Sequence, residues 1–216
     1  MGSLTSLIDS SNLIVADASA IINLNATKCA EEILQAIPNR IVVVDVVLRE
    51  LAEGRRRGRG DADFLERVAA SGIVEIMELN DSASLHFERL VIGAAATTLD
   101  DGEAATIAFA VAHGGVAILD EKKATRLCAQ IFPGLCVGST VDLLANPAVR
   151  LSLGPLVLAD AVFNALQHGR MRVFPKNIQW IIDLIGPERV AVCASLPNSI
   201  RKAQQEIQTI NKTIKE

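Results

Sequence analysis

TLDDGEAATIAFAVAHGGVAILDEKKA, running from Thr98 to Ala124, is the stretch whose reading decides the fold. Its spacing predicts a helix that starts at Asp100 or Asp101, carries Glu103 in its first turn and stops at the Gly114-Gly115 turn. An apolar strand, Val116 to Leu119, follows and ends on Asp120 and Glu121. Helix, glycine turn and buried strand in succession make the second half of a βαβ unit. Ligands of open α/β sheets bind outside the carboxyl ends of the strands, so an acid directly after such a strand points into a crevice.

Upstream the pattern repeats. Leu13 to Ala16 is an apolar run that ends on Asp17 and leads into helical spacing at Ile21, Ile22 and Leu24. Cys29 to Ile37 reads as a helix stopped by Pro38, and Ile41 to Val44 as a second buried strand ending on Asp45. In VVLRELAEG, Val47, Leu48 and Leu51 share one helix face, Glu50 lies mostly elsewhere, and Gly54 offers a C-cap. GRRRGRGD interleaves arginines and glycines from Arg55 to Asp61 and reads as a mobile loop. A helix from Asp63 to Ala70 follows, then a third strand within Ile73 to Leu79, near an edge because Glu75 and Glu78 interrupt it. Ser82 to Gly93 is helical.

Downstream, Glu121 to Ile131 reads as a helix, Pro133-Gly134 breaks it, and Leu135 to Val137 is a short last strand. From Ser139 onward the spacing is helical, punctuated at Asn146-Pro147, Gly154-Pro155, Pro175 and Gly186-Pro187, with a final polar helix from Asn198 toward Glu216. Strands alternating with helices predict an α/β protein with a central, mainly parallel sheet of four or five strands flanked by helices. The expected division is a first domain over 1–150 and a helical C-terminal extension over 151–216, packed on that domain or on a partner.

Composition agrees. Hydrophobic residues are 50% of the 216 and aromatics only 3%, so Ala, Val, Ile and Leu fill the interior, as suits helices on a buried sheet. A net charge of −4 gives no global attraction for nucleic acid, which then needs a local basic patch or bound cations. Cys29, Cys128, Cys136 and Cys193 include no C-x-x-C pair, which reads as a reduced intracellular protein without a zinc cage. The N-terminus has no basic region before an apolar run, and no segment reads as an apolar span of about 20 residues. The expectation is a cytoplasmic protein with no membrane partner.

Asp17, Glu50, Glu103 and Asp120 stand at comparable topological places. If their strands are parallel neighbours, the four acids converge, and crowded carboxylates raise each other's pKa unless a cation sits among them. Hard oxygen-seeking ions, Mg²⁺ or Mn²⁺, answer that need. They also let a negative site approach a phosphodiester. Each acid has a plainer alternative. Asp101 and Glu103 suit a helix first turn, and Glu50 alone suits a solvated helix face. A haloacid dehalogenase type of phosphatase fits less well, since Asp17-Ala18-Ser19 lacks a second Asp two residues on.

The motifs LIVADASAIINL, VVLREL, LDDGEAATIAFA and VAILDEKKATRL, in this order over about residues 12–145, resemble the PIN domain nucleases. The DGEA and ILDE forms are similar to a branch often paired with small antitoxins. The resemblance implies a PIN-like three-layer fold with Asp17, Glu50, Glu103 and Asp120 as the catalytic, metal-binding acids. It further implies a metal-dependent ribonuclease acting on single-stranded RNA, with an antitoxin protein as candidate partner and a homodimer as the expected assembly.

Additional candidates are Ser19, two residues after Asp17, together with Asp101, as extra ligand or helix N-cap, and Glu121, the alternative to Asp120 as fourth ligand. Arg55, Arg56, Arg57, Arg59, Lys122 and Lys123 are the candidate nucleic-acid contacts; a solvated loop and helix face is the alternative. A non-catalytic PIN-like binding or regulatory module acting through its helical C-terminus is the competing function.

Overall fold

The computed structural model describes residues 12–95 and 97–213, with side chains to residue 206. Five strands, β1 (Ile14–Ala16), β2 (Ile41–Val44), β3 (Glu75–Met77), β4 (Val116–Ile118) and β5 (Cys136–Gly138), form one sheet in the order β3-β2-β1-β4-β5. Every pairing is parallel, with Ile14 opposite both Ile41 and Val116, and Ala16 opposite Ile118. The expected sheet, including β3 near an edge, is the observed one.

Helices cover both faces, and the two-residue period of the strands sorts the core accordingly. Ile14, Ala16, Ile41, Val43, Val116 and Ile118 point to one side, while Val15, Val42, Val44, Ala117 and Leu119 point to the other. On the first side lie α1 (Ala18–Ala26), α2 (Ala30–Ala36), α3 (Asp45–Arg55) and α4 (Asp61–Ala70). On the second lie α5 (Asp81–Val91), α6 (Asp101–His113) and α7 (Lys122–Ile131). Strands buried on both faces explain the unbroken β-branched run Ile41 to Val44. The edge strand β3 carries its charge outward, with Glu75 clasped by both ends of the Arg40 guanidinium at 2.5 and 2.6 Å.

After α8 (Thr140–Leu144) the chain returns to the first face through α9 (Pro147–Asn164), a π-turn at Ala165–Gly169, a 3-10 turn at Pro175–Asn177 and α10 (Ile178–Val192). Leu158, Val162, Leu166 and Ile181 are fully buried in the same cluster as Ile14 and Ile33. The backbone leaves helical geometry at Gly154 (φ 71°, ψ 167°) and Gly186 (φ 79°, ψ 162°), so the Gly154-Pro155 and Gly186-Pro187 pairs break α9 and α10 each into two helical segments, as the sequence punctuation predicts, and Val190 lies in the second segment of α10. Last comes α11 (Asn198–Thr213). Pro147–Gly169 is long and apolar enough to pass for a membrane span by composition, contrary to the sequence expectation, and a third of its apolar window is buried in the protein. Leu151 and Leu156 on α9 are exposed.

Two local expectations shift. Gly54 does not cap α3, which runs on to Arg55 with Arg56 as its C-cap. The arginine loop is tied at both ends, Arg55 to Asp63 at 2.7 Å and to Glu66, and Arg59 to Asp61 at 3.0 Å.

Candidate active site

The strand order reverses direction between β1 and β4. From β1 the chain moves outward to β2 and β3, then crosses back to lay β4 on the other side of β1. Outside the carboxyl ends of strands at such a switch point the connecting segments diverge and leave a crevice. Asp17 follows β1 and Asp120 lies two residues past the end of β4, so the topology aims both at this one crevice. Asp17 N–H reaches Ile118 O at 3.4 Å, and Leu119 N–H donates to Gly138 O at 2.9 Å, extending the sheet up to the acids.

Asp17 is 3% exposed. It is the N-cap of α1, accepting from Ala20 N–H at 2.8 Å, and the Ser19 hydroxyl donates to its two oxygens at 2.9 and 3.0 Å. Capping alone does not explain an aspartate here, because Ser or Asn caps as well without a buried charge. Burial, then the Asp120 carboxylate, raise its pKa well above the usual range, with Glu103 adding to the rise and the Ala20 and Ser19 donors opposing it.

Asp120, also buried, accepts from Thr140 N–H at 2.9 Å, Thr140 Oγ1 at 2.5 Å and Asn23 Nδ2 at 2.6 Å. Burial raises its pKa, while Thr140 and Asn23 pull it down and Asp142 adds to the rise. Glu121 sits apart at the rim, half-exposed and paired with Arg172 at 2.8 Å.

Glu103 links this inner pair to an outer acidic groove. It lies in the first turn of α6, whose N-cap is Asp100 and not Asp101; the Asp100 side chain accepts the Glu103 N–H at 2.9 Å. Burial, then Asp100 and Glu121, push the Glu103 carboxyl up to about 7; Lys123 lowers it and Glu50 raises it.

Glu50 lines a groove of about 720 Å³ with Asp100, Asp101 and Glu53. Its side chain is exposed, yet the groove wall packs closely enough that partial burial is the first cause of its raised pKa, ahead of repulsion by Asp100, Glu53 and Asp101. The carboxylate is reachable by solvent all the same. Gly102 leaves the room that the Glu50 carboxylate occupies, since a Cβ there would stand 2.2 Å from Glu50 Oε2.

The four acids named from the sequence therefore share one field, as an inner pair, a hub and an outer wall. Among the described residues no three His, Cys, Asp or Glu side chains stand close enough to cage an ion. The donor set still fits a hard divalent cation. It is all oxygen, Asp17 Oδ2 takes only a shared hydroxyl, and Mg²⁺ keeps most of its waters, needing one or two carboxylates.

Of the candidate basic contacts, Arg59 lines the crevice. Arg55 is held away by Asp63 and Glu66, Arg56, Arg57 and Lys122 are exposed, and Lys123 donates to Ala95 O at 2.8 Å. Sequence reasoning missed Thr140, Arg170 and Arg172. Thr140 carried a signal, since Ser139-Thr140-Val141-Asp142 is a capping box that starts α8 right after β5. A mostly apolar cavity of about 450 Å³, lined by Ala110, Gly114, Phe132 and Cys136 among others, opens at the opposite ends of the strands and carries no acid.

An open, wholly parallel sheet with acids gathered at its switch point defines a crevice-binding α/β protein of the doubly wound class. A family model described as a PIN domain matches residues 13–187, and the chain belongs to the PIN domain family. Members of that family are generally nucleases and typically use divalent metals. Neither the curated proteins nor the solved structures yielded a match.

Proposed function

We propose that the protein is a divalent-metal-dependent endoribonuclease that hydrolyses phosphodiesters of single-stranded RNA, as the toxin of a toxin–antitoxin pair. The observation that supports it most is the inner pair. Two buried carboxylates, both with raised pKa, meet at the switch point, and an arrangement with that cost persists where function needs it.

In this reading Asp17, Asp120 and Glu103 hold Mg²⁺ or Mn²⁺, with Glu50 on the outer wall. When bound, the cation polarises the phosphoryl oxygen, lowers the pKa of the attacking water and steadies the leaving oxygen. The chain's own residues orient. Ser19 and Ala20 N–H fix the Asp17 carboxylate, and Asn23 with Thr140 fix that of Asp120, as outer-shell donors do for metal ligands. Glu103, whose carboxyl is pushed up to about 7 by burial and its acidic neighbours, takes its charged form when a cation binds beside it. The residues after 150 belong to the nuclease body in this reading, supported by the core that Leu158 and Leu166 share with Ile14. An antitoxin and a second copy of the chain are the proposed partners.

The test is a titration of Mn²⁺ and Mg²⁺ against end-labelled single-stranded RNA with the wild type and Asp17→Asn. Cation-dependent cleavage by the wild type alone is expected. Equal cleavage by both proteins, or none by the wild type at any cation concentration, overturns the reading.

A further inference from the structure

Residues 169–173 cross the mouth of the crevice in a way that local sequence does not explain. The π-turn ends at Gly169, whose missing side chain lets the backbone press against α1. A Cβ there would lie 2.6 Å from Asn23 Oδ1, the amide that also serves Asp120. The next residue, Arg170, is one of two non-glycine residues among those described with positive φ, at φ 55° and ψ 35°. That left-handed conformation is disfavoured for a residue with a Cβ. Met171 N–H donates to Ala165 O at 3.1 Å and pins the turn.

From here the side chains alternate. Met171 and Val173 are buried in the core, so Arg170 and Arg172 point outward, and both line a cleft of about 280 Å³. Arg59, from the far side, lines it too, and Ser19, Asn23 and Asp120 are among its other walls. Arg172 rests on Glu121, a pair open to water and easily exchanged, and Arg59, itself half-exposed, is held by the buried Asp61. The Arg170 guanidinium has no ion pair among the described residues.

Three guanidinium groups thus converge beside an otherwise acidic crevice, on a chain whose net charge of −4 gives no global attraction for nucleic acid. Their planar forks match phosphate oxygens. We propose that this cleft holds a non-scissile phosphodiester of single-stranded RNA, next to the bond at Asp120, gripped by Arg59, Arg170 and Arg172. This rests on the ribonuclease reading and names how that site takes its substrate. The unfavourable Arg170 backbone is retained because it turns the guanidinium into the cleft.

The experiment measures binding apart from cleavage. Fluorescence anisotropy of a labelled single-stranded RNA with the full-length protein, in EDTA and over a series of KCl concentrations, compares the wild type with Arg170→Gly and Arg172→Gln. Each variant is expected to bind more weakly, with the slope of log K against log[KCl] shallower by about 0.7 for one phosphate no longer neutralised. Arg170→Gly is expected to melt no lower than the wild type, because glycine adopts the left-handed conformation freely. Weaker binding with that melting behaviour therefore comes from the missing guanidinium and not from a damaged fold. Unchanged salt slopes in both variants overturn the proposal, and if the wild type still cleaves RNA with Mn²⁺ the ribonuclease reading stands without it. Arginine-dependent slopes in a protein that never cleaves would instead leave the cleft and remove the nuclease.

Discussion

Asn23 donates its side-chain amide to Asp120 Oδ2 at 2.6 Å and so joins α1 to the end of β4 across 97 positions of sequence. The bond stabilises the charged form of a buried carboxylate that burial alone pushes toward neutrality. Asn23→Ala is expected to lower RNA cleavage about 10- to 100-fold, the usual effect of removing a partner that orients a metal ligand. It should also cost about 1–3 kcal/mol of stability by leaving Asp120 short of a donor. Cleavage rates at saturating Mn²⁺ and a denaturant midpoint check the two parts separately.

Asp17 has two duties, capping α1 and facing Asp120, and substitutions separate them. Asn caps as well as Asp and carries no charge to bury, so Asp17→Asn in EDTA is expected to melt at or above the wild type. Asp17→Ala loses the cap, at about 0.5–2 kcal/mol, and melts lower. Both should cleave at least about 100-fold more slowly, in line with the loss of a group that acts on the transition state. A wild type more stable than Asp17→Asn without metal would contradict the account of the inner pair.

Glu103 ties stability to pH. Its folded pKa of about 7 lies above the ordinary 4.5, so the native state keeps a proton that the unfolded chain gives up. The stabilisation is therefore full below about pH 4.5 and is lost as pH rises through 7. Asp17, Glu50 and Asp120 shift in the same direction; Glu75, lowered by Arg40, acts only at pH below 4.5. The metal-free protein is expected to melt progressively lower from pH 4.5 to 7, and Glu103→Gln to flatten that slope. Melting curves in EDTA across the window decide it, and an upward trend would refute it.

Gly102 and Glu50 give a prediction in which activity and stability part. In Gly102→Ala the new methyl occupies the place of Glu50 Oε2, and the long Glu50 side chain swings away. Helix propensity then favours alanine by about 0.5–1 kcal/mol. Melting temperature should stay level or rise, while cleavage falls about tenfold as the outer acid leaves the groove, a tenfold loss being about 1.4 kcal/mol of barrier. Parallel assays of thermal stability and RNA cleavage distinguish this from simple misfolding.

Much of the fold and of the acidic site is legible in the chain itself. The runs Leu13–Ala16, Ile41–Val44 and Val116–Leu119 are apolar without alternation because their strands are buried on both faces, and Asp17 and Asp120 stand out as the acids ending two of them. Distinctions of a single residue are not legible, since a cap on Asp100 and a cap on Asp101 look alike in DDGE. The arginines of the 55–59 loop read as equivalent in sequence, whereas in the fold Asp63 and Glu66 draw Arg55 aside and leave Arg59 on the cleft. Arg170 and Arg172 give no signal at all, because their place depends on Gly169 meeting Asn23, an approach of distant segments that no local period encodes.

The same separation has a temporal side. β1 is synthesised long before β4, and the strand that completes the switch point is Val116–Ile118, with Thr140 and Arg172 later still. At roughly 5–20 residues per second, the ~100 residues between the two strands take on the order of 5–20 s to emerge. Throughout that interval Asp17 has neither Asp120 nor Arg170 and Arg172 beside it. Until β4 emerges, a nascent chain of this topology lacks the Asp120 half of its inner pair, so the crevice is completed only after more than half of the chain has been made.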